Sequence, residues 1–257
     1  MSLFALLDNW RAPPPAPARV GWLAGVTYAH RGLHGAGVPE NSPSAFAAAI
    51  ARGMGIECDV QRSYEGQAVV FHDATLDRLT AESGPVAARS SAELGQIVLS
   101  GGTDTIPTLR KVLDQVAGQV PLLIEIKSKG NTRSRVAALC LAVRRVIEGY
   151  GGAHAIMSFD PRVVRWFADR SPHTVRGLVV TEENDKALPG MIRRRLALWY
   201  ARPDFLAYDV RDLPSRFAAA QKARGLPLLT WTVRDADLAE RAATCADAAI
   251  AEGAGVA

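Results

Sequence analysis

Two carboxylates stand two residues apart in an otherwise apolar run, Glu57 and Asp59 of Ile56-Glu57-Cys58-Asp59-Val60. In a strand, the side-chain period of two puts both acids on one face and Cys58 on the other. The run Leu122-Leu123-Ile124-Glu125-Ile126-Lys127 repeats the device with an acid and a base. Two further apolar runs end on histidines, in His30-Arg31-Gly32 and in His72-Asp73. Charge set inside apolar strands is costly unless it is paired or bound to a metal. Three carboxylates converging at strand ends suit a hard divalent cation with oxygen ligands, Mg²⁺ or Ca²⁺. No Cys or His stands at the spacing of a structural zinc site. The alternative is a set of buried ion pairs, such as Glu125 with Lys127.

These runs belong to a longer alternation. Strands are expected at 26–30, 56–60, 122–126, 155–159, 175–180, 205–209, 228–233 and 248–251, with helices at 42–52, 108–116, 132–148, 161–169, 186–200, 214–224 and 235–243. Asn41-Ser42-Pro43 and Asp160-Pro161 each place a capping side chain before a proline at the first helical position. Strands alternating with helices require parallel pairing through right-handed crossovers. An open doubly wound sheet gives a similar local pattern, but a count of eight such units favours a closed (β/α)8 TIM barrel of the α/β class, whose strand C-termini share one mouth. The segment 68–72 returns across Tyr64-Glu65-Gly66, a link that allows only an antiparallel hairpin. It opens an irregular insertion at about 62–107. At the start, residues 3–10 read as a short helix and 11–19 (RAPPPAPAR) as an extended or irregular connector. The expected division is therefore 1–25 as helix and connector and 26–257 as barrel. Little chain follows the eighth strand, so the N-terminal helix is expected to cover that gap.

Composition bounds the partners. The 257 residues are 48% hydrophobic and 22% charged, as in ordinary globular proteins. A net charge of +4 is too little to argue for nucleic acid, which calls for concentrated positive charge, but it suits small anions. Cys58, Cys140 and Cys245 are scattered without a disulfide framework, which points to a reducing cytoplasm. No apolar run reaches the length of a membrane span, so stable membrane insertion is not expected, and the first ten residues lack the basic flank of a signal peptide. The stretch 191–200 (MIRRRLALWY) mixes arginines with apolar residues and is read as a solvated outer helix rather than as a lipid contact.

The motifs taken in order resemble the glycerophosphodiester phosphodiesterase family. They are AHRG (29–32), PENSPSAF (39–46), IECDV (56–60), VVFHD (69–73), LDRLT (76–80), IPTL (106–109), IEIK (124–127) and TWTV (230–233). The resemblance implies a barrel with an insertion after its second strand. By residue, it implies Glu57, Asp59 and Glu125 as metal ligands, His30 and His72 as the acid/base pair, Arg31 and Lys127 on the phosphodiester, and Trp231 at the mouth. The implied substrate is a small anionic glycerophosphodiester, cleaved to sn-glycerol 3-phosphate and an alcohol. The chemistry agrees, because an anionic diester repels nucleophiles and an alkoxide leaves only with a proton. Two other readings share these residues: a lipid phosphodiesterase of the phospholipase D or C kind, and a phosphate-binding barrel without catalysis. At the last strand the chain departs from the family, with Ile250-Ala251-Glu252-Gly253 where Thr-Asp and a following Pro are usual.

Overall fold

The computed structural model describes residues 3–128, 130, 132–183 and 186–256. In chain order, α1 (Leu3–Arg11) and α2 (Pro17–Val20) precede β1 (Tyr28–Ala29), α3 (Pro43–Ala51), β2 (Gly55–Arg62) and β3 (Ala68–Val70). Then come α4 (Ser91–Leu94), α5 (Leu109–Val116), β4 (Leu122–Ile126) and α6 (Arg133–Ile147). Strict alternation follows through β5 (His154–Ser158), α7 (Pro161–Arg170), β6 (Val175–Val180), α8 (Leu188–Ala201) and β7 (Phe205–Asp209). It ends with α9 (Arg216–Ala223), β8 (Leu228–Val233), α10 (Ala236–Cys245) and β9 (Ala248–Ala251). The fold is the expected (β/α)8 barrel, with β3 as an added antiparallel strand.

The chain divides into two compact units, residues 28–154 and the remainder. In the first, β2 pairs in parallel with β1 and β4. Its register places Asp59 directly opposite Glu125 and Tyr28 opposite Gly55. Gly55 is required there, because a Cβ would stand 2.5 Å from the Tyr28 ring. The hairpin of β2 with β3 opens the insertion, which is better ordered than the sequence suggests. Val69, Phe71, Leu76, Val86, Leu94, Ile97, Leu99 and Ile106 bury one another in a small core of their own, and the Ser90–Glu93 capping box starts α4. Burial of apolar side chains, rather than regular periodicity, fixes this segment.

In the second unit β5 to β9 run parallel in sequence order. Two expectations change here. The connector is not extended throughout, since α2 begins at Pro17, where the missing amide costs no hydrogen bond. From its C-terminal part Arg19 donates to the carbonyls of Pro172 (2.7 Å) and Thr174 (2.9 Å) and to Asp204 Oδ2 (2.9 Å), just ahead of β6 and β7. The N-terminal helix also lies elsewhere than the gap after the last strand. Asp8, which is buried, accepts from Trp199 Nε1 (2.7 Å), Gln221 Nε2 (3.0 Å) and Arg195 Nε (3.1 Å), and so holds α1 on α8 and α9. Beyond β9 a 3₁₀ turn (Gly253–Val256) brings Val256 onto the cluster of Val210, Val233 and Ala242. Arg19→Ala should cost about 2 kcal/mol, since it strips several acceptors of a charged donor. A melting temperature equal to the parent's would contradict this account of the connector.

Candidate active site

The site grows from the ends of β1, β2, β3 and β4, all within residues 28–154. Alternation along β2 turns Glu57 and Asp59 to one side, and the register with β4 brings Glu125 beside Asp59. One carboxylate oxygen from each of the three lies within 4.8 Å of the others, and all three residues are buried. Lys127 supplies the nearest cation. Its Nζ is 2.8 Å from Asp59 Oδ1 and 2.6 Å from Glu125 Oε1. Arg31 is the second, with Nε 3.2 Å from Asp59 Oδ2 and Nη1 donating to Glu40 Oε1 at 2.8 Å.

The backbone after β1 is shaped for this. Arg31 has φ of 56°, in the left-handed region that most side chains avoid. In that conformation its amide donates to Glu57 Oε2 at 3.0 Å. The following Gly32, at φ 79°, is irreplaceable on space alone, because a Cβ would meet Ala45 Cβ at 2.8 Å. Asn41 also adopts positive φ, at 55°. Its Nδ2 donates to Asp59 Oδ2 at 2.9 Å while its Oδ1 accepts from the Asp59 amide at 3.1 Å. The helix-start reading of Asn41-Ser42-Pro43 is thus refined. Ser42 is the cap of α3, accepting from the Ala45 amide, and Asn41 belongs to the acid cluster.

Charge is unevenly shared. Burial raises Glu57 well above the usual carboxylate range, and the charges of Asp59 and Glu125 push it further. Burial also works against Asp59, but Lys127, Arg31 and His72 outweigh it and hold that carboxyl well below the usual range. Glu125 is raised by burial, with Lys127 opposing. Burial disfavours the Lys127 ammonium too, yet Asp59 and Glu125 reverse the effect and keep it charged. Among the described residues Glu57 Oε1 has no hydrogen-bond partner. A buried carboxyl oxygen in that state fits a cation ligand. The donor set, three carboxylates with no sulfur, suits Mg²⁺ or Ca²⁺.

The two histidines flank this cluster. His30 Nε2 lies 4.0 Å from Glu57 Oε2. His72 Nδ1 sits 2.6 Å from Asp73 Oδ1, and the Asp73 carbonyl accepts from Gln61 Nε2. Arg78 donates through Nε to Asp73 Oδ2 at 2.5 Å and through Nη2 to Glu40 Oε1 at 2.8 Å. Since Glu40 also accepts from Arg31, an alternating chain of charge runs His72–Asp73–Arg78–Glu40–Arg31. Trp231 is on β8 in the other unit, where its Nε1 donates to the Ala207 carbonyl at 3.0 Å and its ring meets Phe159 edge-on at 5.3 Å. Glu252, in that same unit, accepts from Arg234 Nε at 2.6 Å. Sequence reasoning passed over Glu40, Asn41, Arg78 and Gln61. For Gln61 a signal existed, because it continues the alternating face of Glu57 and Asp59.

The model of the glycerophosphoryl diester phosphodiesterase family matches residues 30–256. The chain belongs to that family. A glycerophosphodiester phosphodiesterase of Caldanaerobacter subterraneus is 27% identical over 218 residues, covering 81% of this chain and 85% of its own. One from Bacillus altitudinis is 37% identical over 111 residues, 40% of this chain and 45% of its own. The fold matches a solved glycerophosphodiester phosphodiesterase from Thermotoga maritima with a TM-score of 0.70 at 25% identity, over 88% of this chain and 94% of that one. A phosphodiesterase from Oleispira antarctica, solved with the product sn-glycerol 3-phosphate, gives a TM-score of 0.77 at 24% identity, over 89% and 93%. The protein is accordingly an enzyme that hydrolyses glycerophosphodiesters, and the reading as a non-catalytic barrel is set aside.

Asn41→Ala should cost about 2 kcal/mol in chemical denaturation, because it leaves the buried Asp59 amide without an acceptor and takes one donor from Asp59 Oδ2. Asn41→Asp should cost more, by adding a carboxylate to the cluster. Stabilities matching the parent for both variants would contradict this placement of Asn41.

Proposed function

We propose that the protein cleaves glycerophosphodiesters to sn-glycerol 3-phosphate and an alcohol, with a divalent cation, Mg²⁺ or Ca²⁺, and with His30 and His72 as the acid/base pair. The observation that carries this reading is the buried triad of Glu57, Asp59 and Glu125 with its unpartnered Glu57 oxygen, flanked by two histidines and two cationic side chains. The product named for the Oleispira structure supports the choice of substrate.

Glu57, Asp59 and Glu125 would hold the ion, which supplies Lewis acidity against charge building on the phosphoryl oxygens. A diester anion repels an incoming oxygen nucleophile, so cations must face its non-bridging oxygens. Once the acids are balanced, the Lys127 ammonium and the Arg31 guanidinium are available for that task. The incoming hydroxyl loses its proton to His30 as its oxygen bonds to phosphorus. The bond from phosphorus to the alcohol oxygen breaks as His72 gives that oxygen a proton. Asp73 at Nδ1 leaves Nε2 as the atom of His72 that exchanges the proton. Glu40, Arg78 and Asp73 position the pair formed by Arg31 and His72, and Trp231 lines the mouth. Three cysteines that form no disulfide among the described residues support a reducing, cytoplasmic setting.

With glycerophosphocholine as substrate, Mg²⁺ or Ca²⁺ should sustain release of sn-glycerol 3-phosphate and EDTA should abolish it. His72→Ala should lose at least ~10²-fold in turnover while the ion still raises its melting temperature. Undiminished release in EDTA would overturn the metal-dependent reading. A His72→Ala protein that no longer responds to the ion would show that this histidine is a ligand instead.

A further inference from the structure

The outer face of α8 takes no part in the site; the helix is exposed on that side, as expected from the sequence, and what it exposes there is apolar. Leu188, Ile192, Leu196 and Tyr200 recur every fourth residue and are 67%, 51%, 54% and 42% exposed. That spacing sets them on one side of the helix as a continuous apolar stripe. Leu188, Pro189, Ile192, Arg193 and Leu196 line an open groove of ≈ 490 Å³. The neighbouring α1, held to α8 through Asp8 and Arg195, adds exposed Phe4, Leu6 and Trp10. Apolar side chains gathered this way on a soluble protein mark a surface that something covers.

Charge says what kind of surface that is. The helices α1 and α8 carry four arginines and one aspartate. Arg194 is buried against Glu182, while Arg11 and Arg193 are exposed and Arg195 is half-buried. The aspartate, Asp8, is buried beneath Arg195 and Trp199. The outward faces of α1 and α8 therefore present no carboxylate. Guanidinium groups lie over aromatic rings in the same patch, Arg11 over Trp10 at 4.4 Å and Arg195 over Phe4 at 4.2 Å. A second copy docked on this face would set arginines against arginines. A nucleic acid would pair with the arginines but leave the leucine and isoleucine stripe in water. An anionic bilayer satisfies both, because acyl chains meet the stripe while the headgroups meet the arginines.

We propose that the α1–α8 face is a peripheral docking surface for membranes rich in anionic phospholipid. Docking is shallow, since no helix among the described residues is long and apolar enough to cross a membrane. The proposal stands independently of the catalytic residues.

The test is co-sedimentation of the full chain with phosphatidylcholine vesicles, with or without phosphatidylglycerol, at about 0.1 M salt, where charge still acts over about 10 Å. The parent should pellet with the phosphatidylglycerol vesicles and stay in solution with phosphatidylcholine alone. The double variant Ile192→Asp/Leu196→Asp, altered only at exposed positions, should lose at least about tenfold of that binding. It should keep the parent's melting temperature and its turnover of soluble glycerophosphocholine. Absence of binding to both vesicles, or equal binding by the variant, would overturn the proposal. So would a parent dimer in sedimentation velocity that the variant converts to monomer, which would give this face to a second copy. Loss of turnover in the parent with vesicle binding intact would count against the catalytic reading alone.

Discussion

Three buried carboxyl groups crowd one another across less than 5 Å, and the polar groups around them within residues 28–154 are arranged about that crowding. Two cations stand against three acids, and they are not evenly placed. Asp59 has both Lys127 and Arg31 beside it, while Glu125 shares Lys127. Glu57 accepts from the Arg31 amide on Oε2, with His30 Nε2 4.0 Å away, and its Oε1 has no hydrogen-bond partner among the described residues. Burial pushes both Glu57 and Asp59 up, and the imbalance decides that Asp59 is nonetheless held strongly acidic while Glu57 stays raised. A protein that kept such a cluster for stability alone would be more stable with apolar side chains of similar volume. The three carboxylates are placed where they could hold a metal ion.

The backbone bears part of the cost. Arg31 and Asn41 both sit in the left-handed region, where a non-glycine residue persists only if its surroundings overdetermine it. Each conformation delivers polar groups to a carboxylate: the Arg31 amide reaches Glu57 and the Asn41 side chain grips Asp59. Outward from there the sign of charge alternates through Glu40, Arg78 and Asp73 to His72. Through this chain a residue of the insertion, Arg78, couples the ring of His72 to the guanidinium of Arg31. The small apolar core beneath the insertion is what holds Arg78 at that place.

How much of this was legible depended on whether a feature is local. A period of two is a property of a strand by itself, so the faces carrying Glu57 with Asp59 and Glu125 with Lys127 could be read directly. The pairing of Asp59 opposite Glu125 could not, because register is set by tertiary packing. Asn41 and Glu40 were hidden for a different reason. Asn41 reaches Asp59 from a positive-φ turn that favours no single residue pattern, and it stood in a motif that also starts a helix, while Glu40 meets its partners Arg31 and Arg78 only in the folded chain. The position of α1 was readable in principle from Asp8, a lone acid in an apolar helix, which needs buried donors. Proline richness was misleading at 17–20, because the rule against proline in helices does not apply to the first turn.

The central claim is that the triad is built for one divalent cation. It is tested most directly by calorimetric titration of Ca²⁺ or Mg²⁺ into the metal-stripped parent and into Glu57→Gln. Glutamine keeps an oxygen for the Arg31 amide and removes the charge that has no partner. The account predicts one ion per parent chain, no measurable binding to Glu57→Gln, and a metal-free variant at least as stable as the metal-free parent. Equal ion affinity in the two proteins would contradict it.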